Sequence, residues 1–209
     1  MKKKLLKLFL GVLLSTFLLF IALPSHAILI VGFNPISQEV GLGEAFDVDL
    51  FISGLGVSEA SSLGTFDLDI SFDSTILAFN EVTFGDPVLG DQLDLWWLGS
   101  LTDFFTGVGT VNLYELSFDS VYDLNTFQAD SFTLATLTFD TLSVGISSSL
   151  DIVINEIGDA WGDSLLDDAE LDNGSVTVSA APVPEPATIL LLITGMVGMG
   201  VFGRKRLRN

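Results

Sequence analysis

From residue 28 to residue 186 the chain contains no Lys, Arg or His, yet all 27 of its Asp and Glu residues lie there. The eight bases are confined to the two ends, at Lys2, Lys3, Lys4 and Lys7 and at Arg204, Lys205, Arg206 and Arg208. No side-chain salt bridge can form inside such a body. Its carboxylates must be solvated, hydrogen-bonded to backbone or amide groups, or neutralised by bound cations. Binding to nucleic acid depends on Lys and Arg that neutralise phosphates, so nucleic acid is not expected as a partner.

Like charge at this density is usual in disordered chains, but disordered polyanions lack ordered apolar patterning. This one has it. In Phe46-Asp47-Val48-Asp49-Leu50-Phe51-Ile52 the apolar positions recur at every second residue with Asp between them, and Phe66-Asp67-Leu68-Asp69-Ile70-Ser71-Phe72 repeats the alternation. A period of two marks a strand with one face buried. Further strands are expected at 28–33, 76–84, 111–118, 132–139, 150–154 and 175–179, separated by Gly, Asn, Asp and Ser clusters. No stretch of the body keeps a helical period over eleven residues or more. Eight or nine short strands in a body of roughly 160 residues predict one all-β domain, an antiparallel β-sandwich with its core between two sheets.

The ends have a different logic. Residues 1–27 place four lysines before an apolar run from Leu8 to Leu23, followed by Ser25-His26-Ala27, which is the layout of a secretory signal peptide cut after Ala27. Residues 187–203 carry no charge and would span about 25 Å as a helix, the short end of a transmembrane segment. The basic residues Arg204, Lys205, Arg206 and Arg208 follow at once and should stay in the cytoplasm, leaving the body outside the inner membrane. Pro184 and Pro186 fix an extended, accessible stretch just before that segment, within a linker of residues 180–186.

The order of Val183-Pro184-Glu185-Pro186, a glycine-interrupted apolar segment and a terminal basic cluster resembles the PEP-CTERM sorting signal of Gram-negative bacteria. That resemblance implies recognition and processing by an exosortase, a membrane anchor that is transient, and delivery to the cell surface or to an extracellular matrix containing exopolysaccharide. Within the body, residues 64–86, 134–154 and 173–178 resemble the cohesin-type domain, with Gly64, Phe72, Asp73 and Leu77 on its core positions. This second resemblance implies a jelly-roll-like sandwich over residues 28–179, related to carbohydrate-binding modules. Residues 86–125 fit it least well.

Catalysis finds little support in the composition. No His or Lys remains in the body to activate a serine, there is no cysteine, and close carboxylate pairs arise by chance among so many. Two binding chemistries stay open. Asp159, Asp163, Asp167, Asp168 and Asp172 lie in one acidic stretch whose oxygen ligands suit Ca²⁺, although it departs from the EF-hand pattern and its plainer reading is a solvated acidic loop leading to the last strand. Trp96 and Trp97 are adjacent, so on a strand one would point outward as a platform for a sugar, and Phe104 and Phe105 invite the same reading. Trp161, between Gly158 and Gly162, is the other ring expected at the surface. The expected role is a non-enzymatic surface or matrix protein that contacts another surface protein or polysaccharide; direct recognition of polysaccharide by the tryptophans is the alternative.

Overall fold

The computed structural model describes residues 28–56, 62–145 and 147–180. Ala27, the Val183–Pro186 motif, residues 187–203 and the basic cluster Arg204, Lys205, Arg206 and Arg208 lie outside the described residues. The elements are β1 (Leu29–Asn34), β2 (Ser37–Gly41), β3 (Ala45–Ser53), β4 (Thr65–Ser71), β5 (Leu77–Phe84), β6 (Ser100–Gly107), β7 (Thr110–Ser117), α1 (Val121–Phe127), β8 (Ser131–Thr141), β9 (Ser148–Gly158), β10 (Ala169–Asp172) and β11 (Gly174–Ser179).

They form two sheets, one ordered β10-β1-β3-β8-β5 and the other β2-β11-β9-β4-β7-β6. The alternating segments behave as their period dictates. Phe46, Val48, Leu50 and Ile52 of β3 and Phe66, Leu68 and Ile70 of β4 are buried, while the Asp residues between them face outward. Each such side chain removed from water contributes about 1.5–3 kcal/mol. Aromatic contacts join the sheets: Phe66 of β4 stacks on Phe84 of β5 at 6.5 Å, and Phe104 of β6 meets Phe79 of β5 edge-on at 5.8 Å. Phe139 touches the rings of Phe46, Phe72 and Phe79 at 5.1–5.8 Å.

Three strands and a helix escape the sequence pattern. β2 and β10 are short and mostly exposed, and they pair in parallel with β11 and β1. The sandwich is therefore antiparallel except where the first strands of the body meet the last ones. β6 is an edge strand with little burial, so its sequence does not alternate. The helix α1 is only seven residues long, too short to show a period, but Ser120 caps it by accepting from the Asp123 N–H.

The positions that carry the cohesin resemblance prove to be structural. Gly64 enters β4 between two strands, donating to Gly158 and accepting from Ser117, with the Asp159 and Ala160 backbone where a Cβ would sit. Asp73 closes the turn after β4: its carboxylate accepts from the Thr75 N–H and hydroxyl, and its carbonyl from Ile76 and Leu77. The Thr75 bonds hold the Asp73 carboxyl below the usual carboxylate range. Leu77 is fully buried at the start of β5.

Candidate functional site

Two surfaces stand out, and the first is an end of the sandwich. β9 ends, β6 begins and β7 ends at the same edge of the six-stranded sheet. The loops there carry Trp161, Trp96 with Trp97, and the helix α1 respectively. All three tryptophans therefore share this apex, the strand ends that carry them lying three strand spacings apart, about 14 Å.

The segment between β5 and β6 is an ordered loop. Asp86 accepts from Val88 and Leu89 through one carboxylate oxygen and from Thr133 of β8 through the other. Burial works against its charge, but these N–H groups outweigh burial and hold the carboxyl low. Gln92 and Gln128 exchange bonds across the loop: Gln92 accepts from Ala129, and Gln128 donates to the Gln92 and Leu63 carbonyls. Leu93 is buried beneath, its carbonyl accepting from the Ser117 hydroxyl. Asp119 accepts from Leu95 at 2.7 Å.

Trp96 and Trp97 do not lie on a strand, so they do not alternate. Asp94 accepts from Gly99 through its side chain and from Trp97 through its carbonyl, which closes a tight turn that turns both rings outward. Trp96 packs edge-on against Phe127 at 5.6 Å, and Phe127 against Tyr122 at 6.3 Å. Trp97 is 91% exposed and sits at φ 58°, a left-handed conformation costing a bulky residue on the order of 1–2 kcal/mol. Burial returns nothing for that cost at a ring so exposed. Phe127 and Tyr122 were not singled out from sequence; the Ser120-x-x-Asp123 cap is the signal that could have placed them on a helix.

Trp161 is 70% exposed on a turn built by Asp159. The Asp159 carboxylate accepts from the N–H groups of Trp161 and Asp163, so this buried acid is spent on local backbone. Asp163, Asp167 and Asp168 point to solvent, and Asp172 lies on β10 beside Gly32 of β1. The five candidate ligands thus do not converge. Among the described residues no three acidic side chains are grouped to hold a metal ion.

The second surface is the outer face of β9-β4-β7-β6. Asn112 of β7 donates to Asp67 at 2.6 Å and to Asp69 at 2.9 Å, and Asn155 of β9 donates to Asp67. Around this amide-bridged pair, Val153, Leu101, Leu116 and Phe105 are all exposed, with Phe105 stacked on Tyr114 at 6.1 Å. Here the alternation expected for Phe104 and Phe105 holds. Phe104 turns inward onto Phe79, and Phe105 turns out uncovered.

No family model matches the chain, and no curated protein matches it. Solved structures do. A non-cellulosomal cohesin from the hyperthermophilic archaeon Archaeoglobus fulgidus matches with a TM-score of 0.52 at 19% identity, covering 73% of this chain and 90% of that one. The body has a cohesin-like fold. The seventh ScaB type I cohesin of Pseudobacteroides cellulosolvens (TM-score 0.55, 16% identity, 76% and 96% covered) is similar as well. So is the sixth cohesin of Acetivibrio cellulolyticus scaffoldin B, solved in complex with a Cel5 dockerin (0.55, 16%, 72% and 99%). Gly64, Asp73 and Leu77 do structural work in this cohesin-like body, which leaves the exposed face and the apex as the places where it differs from a plain sandwich.

Proposed function

We propose that the body is a non-catalytic docking module that receives a protein partner on the outer face of β9-β4-β7-β6. One observation carries this reading: that face exposes Leu101, Phe105, Leu116 and Val153 around a fixed Asp–Asn network, the mixture of apolar anchors and satisfied polar groups found at interfaces. The complex of the Acetivibrio cohesin with a dockerin supports a protein rather than a small molecule as partner. A body with 27 carboxylates and no base favours a neutral or cationic one. A photocrosslinking residue at Phe105, in cells that make the protein, should capture a discrete partner, while one at Thr138 on the opposite sheet should not. Equal capture from both positions would overturn the assignment.

The terminal segments would deliver this module through the PEP-CTERM route. The signal peptide exports it, the Val183–Pro186 motif is presented to an exosortase at the inner membrane, and the processed body joins the cell surface or exopolysaccharide matrix. Replacing Pro184, Glu185 and Pro186 with Ala should leave an unprocessed membrane form. Wild-type protein retained whole, with its basic tail, would sink the sorting reading.

A second reading rests on the apex, where Trp96, Trp97 and Trp161 share one end of the sandwich. Exposed rings on an ordered loop suit stacking against a neutral polysaccharide. Glycan arrays test it, and binding that survives Ala at both Trp96 and Trp161 would remove it.

A further inference from the structure

Among the described residues the two sheets end in four edge strands, and three of them are blunted. β10 is four residues long and carries Glu170 and Asp172, β2 is five residues long, and β5 is broken by a bulge between Phe79 and Glu81. β6 has none of these devices. It runs for eight residues without Pro or Lys and pairs with β7 in unbroken register, its other side open among the described residues. A long, flat edge of this kind is a template for a further strand.

The backbone groups on the open side follow from the ladder. At the two ends of β4 the Ser117 N–H donates to Gly64 and the Gly109 carbonyl accepts from Phe72, so the odd-numbered residues of β7 turn towards β4. In an antiparallel pair the N–H and C=O of one residue point the same way and alternate along the strand. Asn112, Tyr114 and Leu116 therefore turn to β6, and their partners Phe105, Asp103 and Leu101 turn back to β7. That leaves the backbone of Thr102, Phe104 and Thr106 facing outward from the edge. The Phe104 N–H is met there by the adjacent Asp103 carboxylate at 2.8 Å.

Side chains set what fits. On the outer face Asp103 lies exposed between the exposed Leu101 and Phe105. On the inner face Phe104 and Thr106 stand over a cleft of about 510 Å³ at the mouth between β6 and β5, lined also by Phe72, Phe79, Asn80 and Val108. No charged side chain lines that cleft.

We propose that β6 accepts an extended, cationic segment of the partner as a further strand of the six-stranded sheet. This deepens the docking reading above and rests on it. On the outer face the segment sets a Lys or Arg opposite Asp103, between apolar residues opposite Leu101 and Phe105. The order apolar-x-base-x-apolar reads the same in both directions, so it serves a strand of either sense. The intervening residues turn inward over the cleft beside Phe79. Pairing takes the Phe104 N–H from the Asp103 carboxylate, which is then free to meet the base. A second copy of the chain is the wrong occupant, because it would bring another base-free body with 27 carboxylates to this edge.

The probe is the peptide Thr-Val-Thr-Arg-Thr-Val-Thr, blocked at both ends and added to saturation to the full-length chain in detergent micelles at fixed ionic strength. Amide exchange should slow about tenfold at Thr102, Phe104 and Thr106, while Asp103 and Phe105, already bonded to β7, change little. The scrambled peptide Val-Val-Thr-Thr-Thr-Thr-Arg should protect none of them. Thr106→Pro deletes a donor on the open side and leaves the β7 ladder whole, so it should weaken binding about tenfold. Asp103→Lys, a change at an exposed side chain, should reverse the preference in favour of the peptide with Glu in place of Arg. Protection that does not alternate, equal binding of the scrambled peptide, undiminished binding by Thr106→Pro or an unchanged preference in Asp103→Lys each overturns the added strand. Alternating protection already present without peptide, in a chain that sediments as a dimer, overturns it in favour of a second copy. Capture at Phe105 that persists in Thr106→Pro removes the strand and keeps the docking face, whereas no capture in the wild type removes both.

Discussion

The two outer faces of the sandwich start from nearly the same sequence and end differently. β3 reads Phe-Asp-Val-Asp-Leu and β4 reads Phe-Asp-Leu-Asp-Ile, each with two Asp residues facing outward. On β3 they are met by hydroxyls, Thr138 donating to Asp47 and Thr136 to Asp49, both at 2.7 Å. On β4 a single amide, Asn112, spans both carboxylates, and an apolar rim from β6, β7 and β9 surrounds them. Alternation therefore says which side of a strand meets water but not what that side is for. The neighbours decide, and they arrive from distant parts of the chain.

The largest expected effect lies between the faces, where burial pushes the Glu115 carboxyl up to about 8. Glu115→Gln should flatten the fall in melting temperature expected of the wild type from pH 4.5 to about 8, a window over which the raised carboxyl costs on the order of 5 kcal/mol. Stability decreases with rising pH there because only the unfolded chain ionises. An equally steep fall in the variant would place the pH dependence on the two faces instead.

Next comes the contrast in binding. Phe105→Ala should weaken capture of the partner by about thirtyfold, or about 2 kcal/mol, as an interface anchor does. Thr138→Ala should leave it within a factor of two or so. Affinity lost equally from both would erase the distinction between the faces.

In stability the same faces differ by a smaller margin. Asn112→Ala strips Asp69 of its amide donor and leaves Asp67 with Asn155 alone, and should cost about 1–3 kcal/mol in thermal or denaturant unfolding. Thr138→Ala frees one exposed carboxylate and should cost about 0.5–1 kcal/mol. At the apex, Trp97→Gly relieves the left-handed backbone and should stabilise by about 1 kcal/mol, with no loss of packing. The smallest effect concerns ions. Since the five acids of the Asp159–Asp172 stretch do not converge, Ca²⁺ should raise melting no more than Mg²⁺ at equal ionic strength. A selective Ca²⁺ shift would reinstate a site there.

Much of the fold was legible because the core strands announce themselves. β3, β4, the second half of β8 and the first half of β9 bury every second residue, and that period survives whatever they pair with. β6 and β10 stayed hidden for the opposite reason: edge strands bury little, so selection for burial leaves no pattern in them. The site was legible only in part. Trp161 lies at the surface as expected, but only one of Trp96 and Trp97 was expected to point outward, and both do because Asp94 folds a turn there. Glu115 shares the inward register of β7 with Val111 and Leu113, but a carboxylate there interrupts the apolar period, so the sequence pointed away from its burial.

The sequence by itself determined that this body is an all-β polyanion whose carboxylates have to be satisfied without a base. Composition excludes salt bridges outright, and a period of two admits only strands. What only the tertiary structure decided is which carboxylates meet amides, hydroxyls or water. Asp67 lies 45 residues from Asn112, which donates to it, and 88 from Asn155. Glu115 of β7 meets the Ser100 hydroxyl at the start of β6, 15 residues away. Such pairings are fixed by strand order and register, and those are settled by how the buried faces of all the strands pack together, which no local window contains.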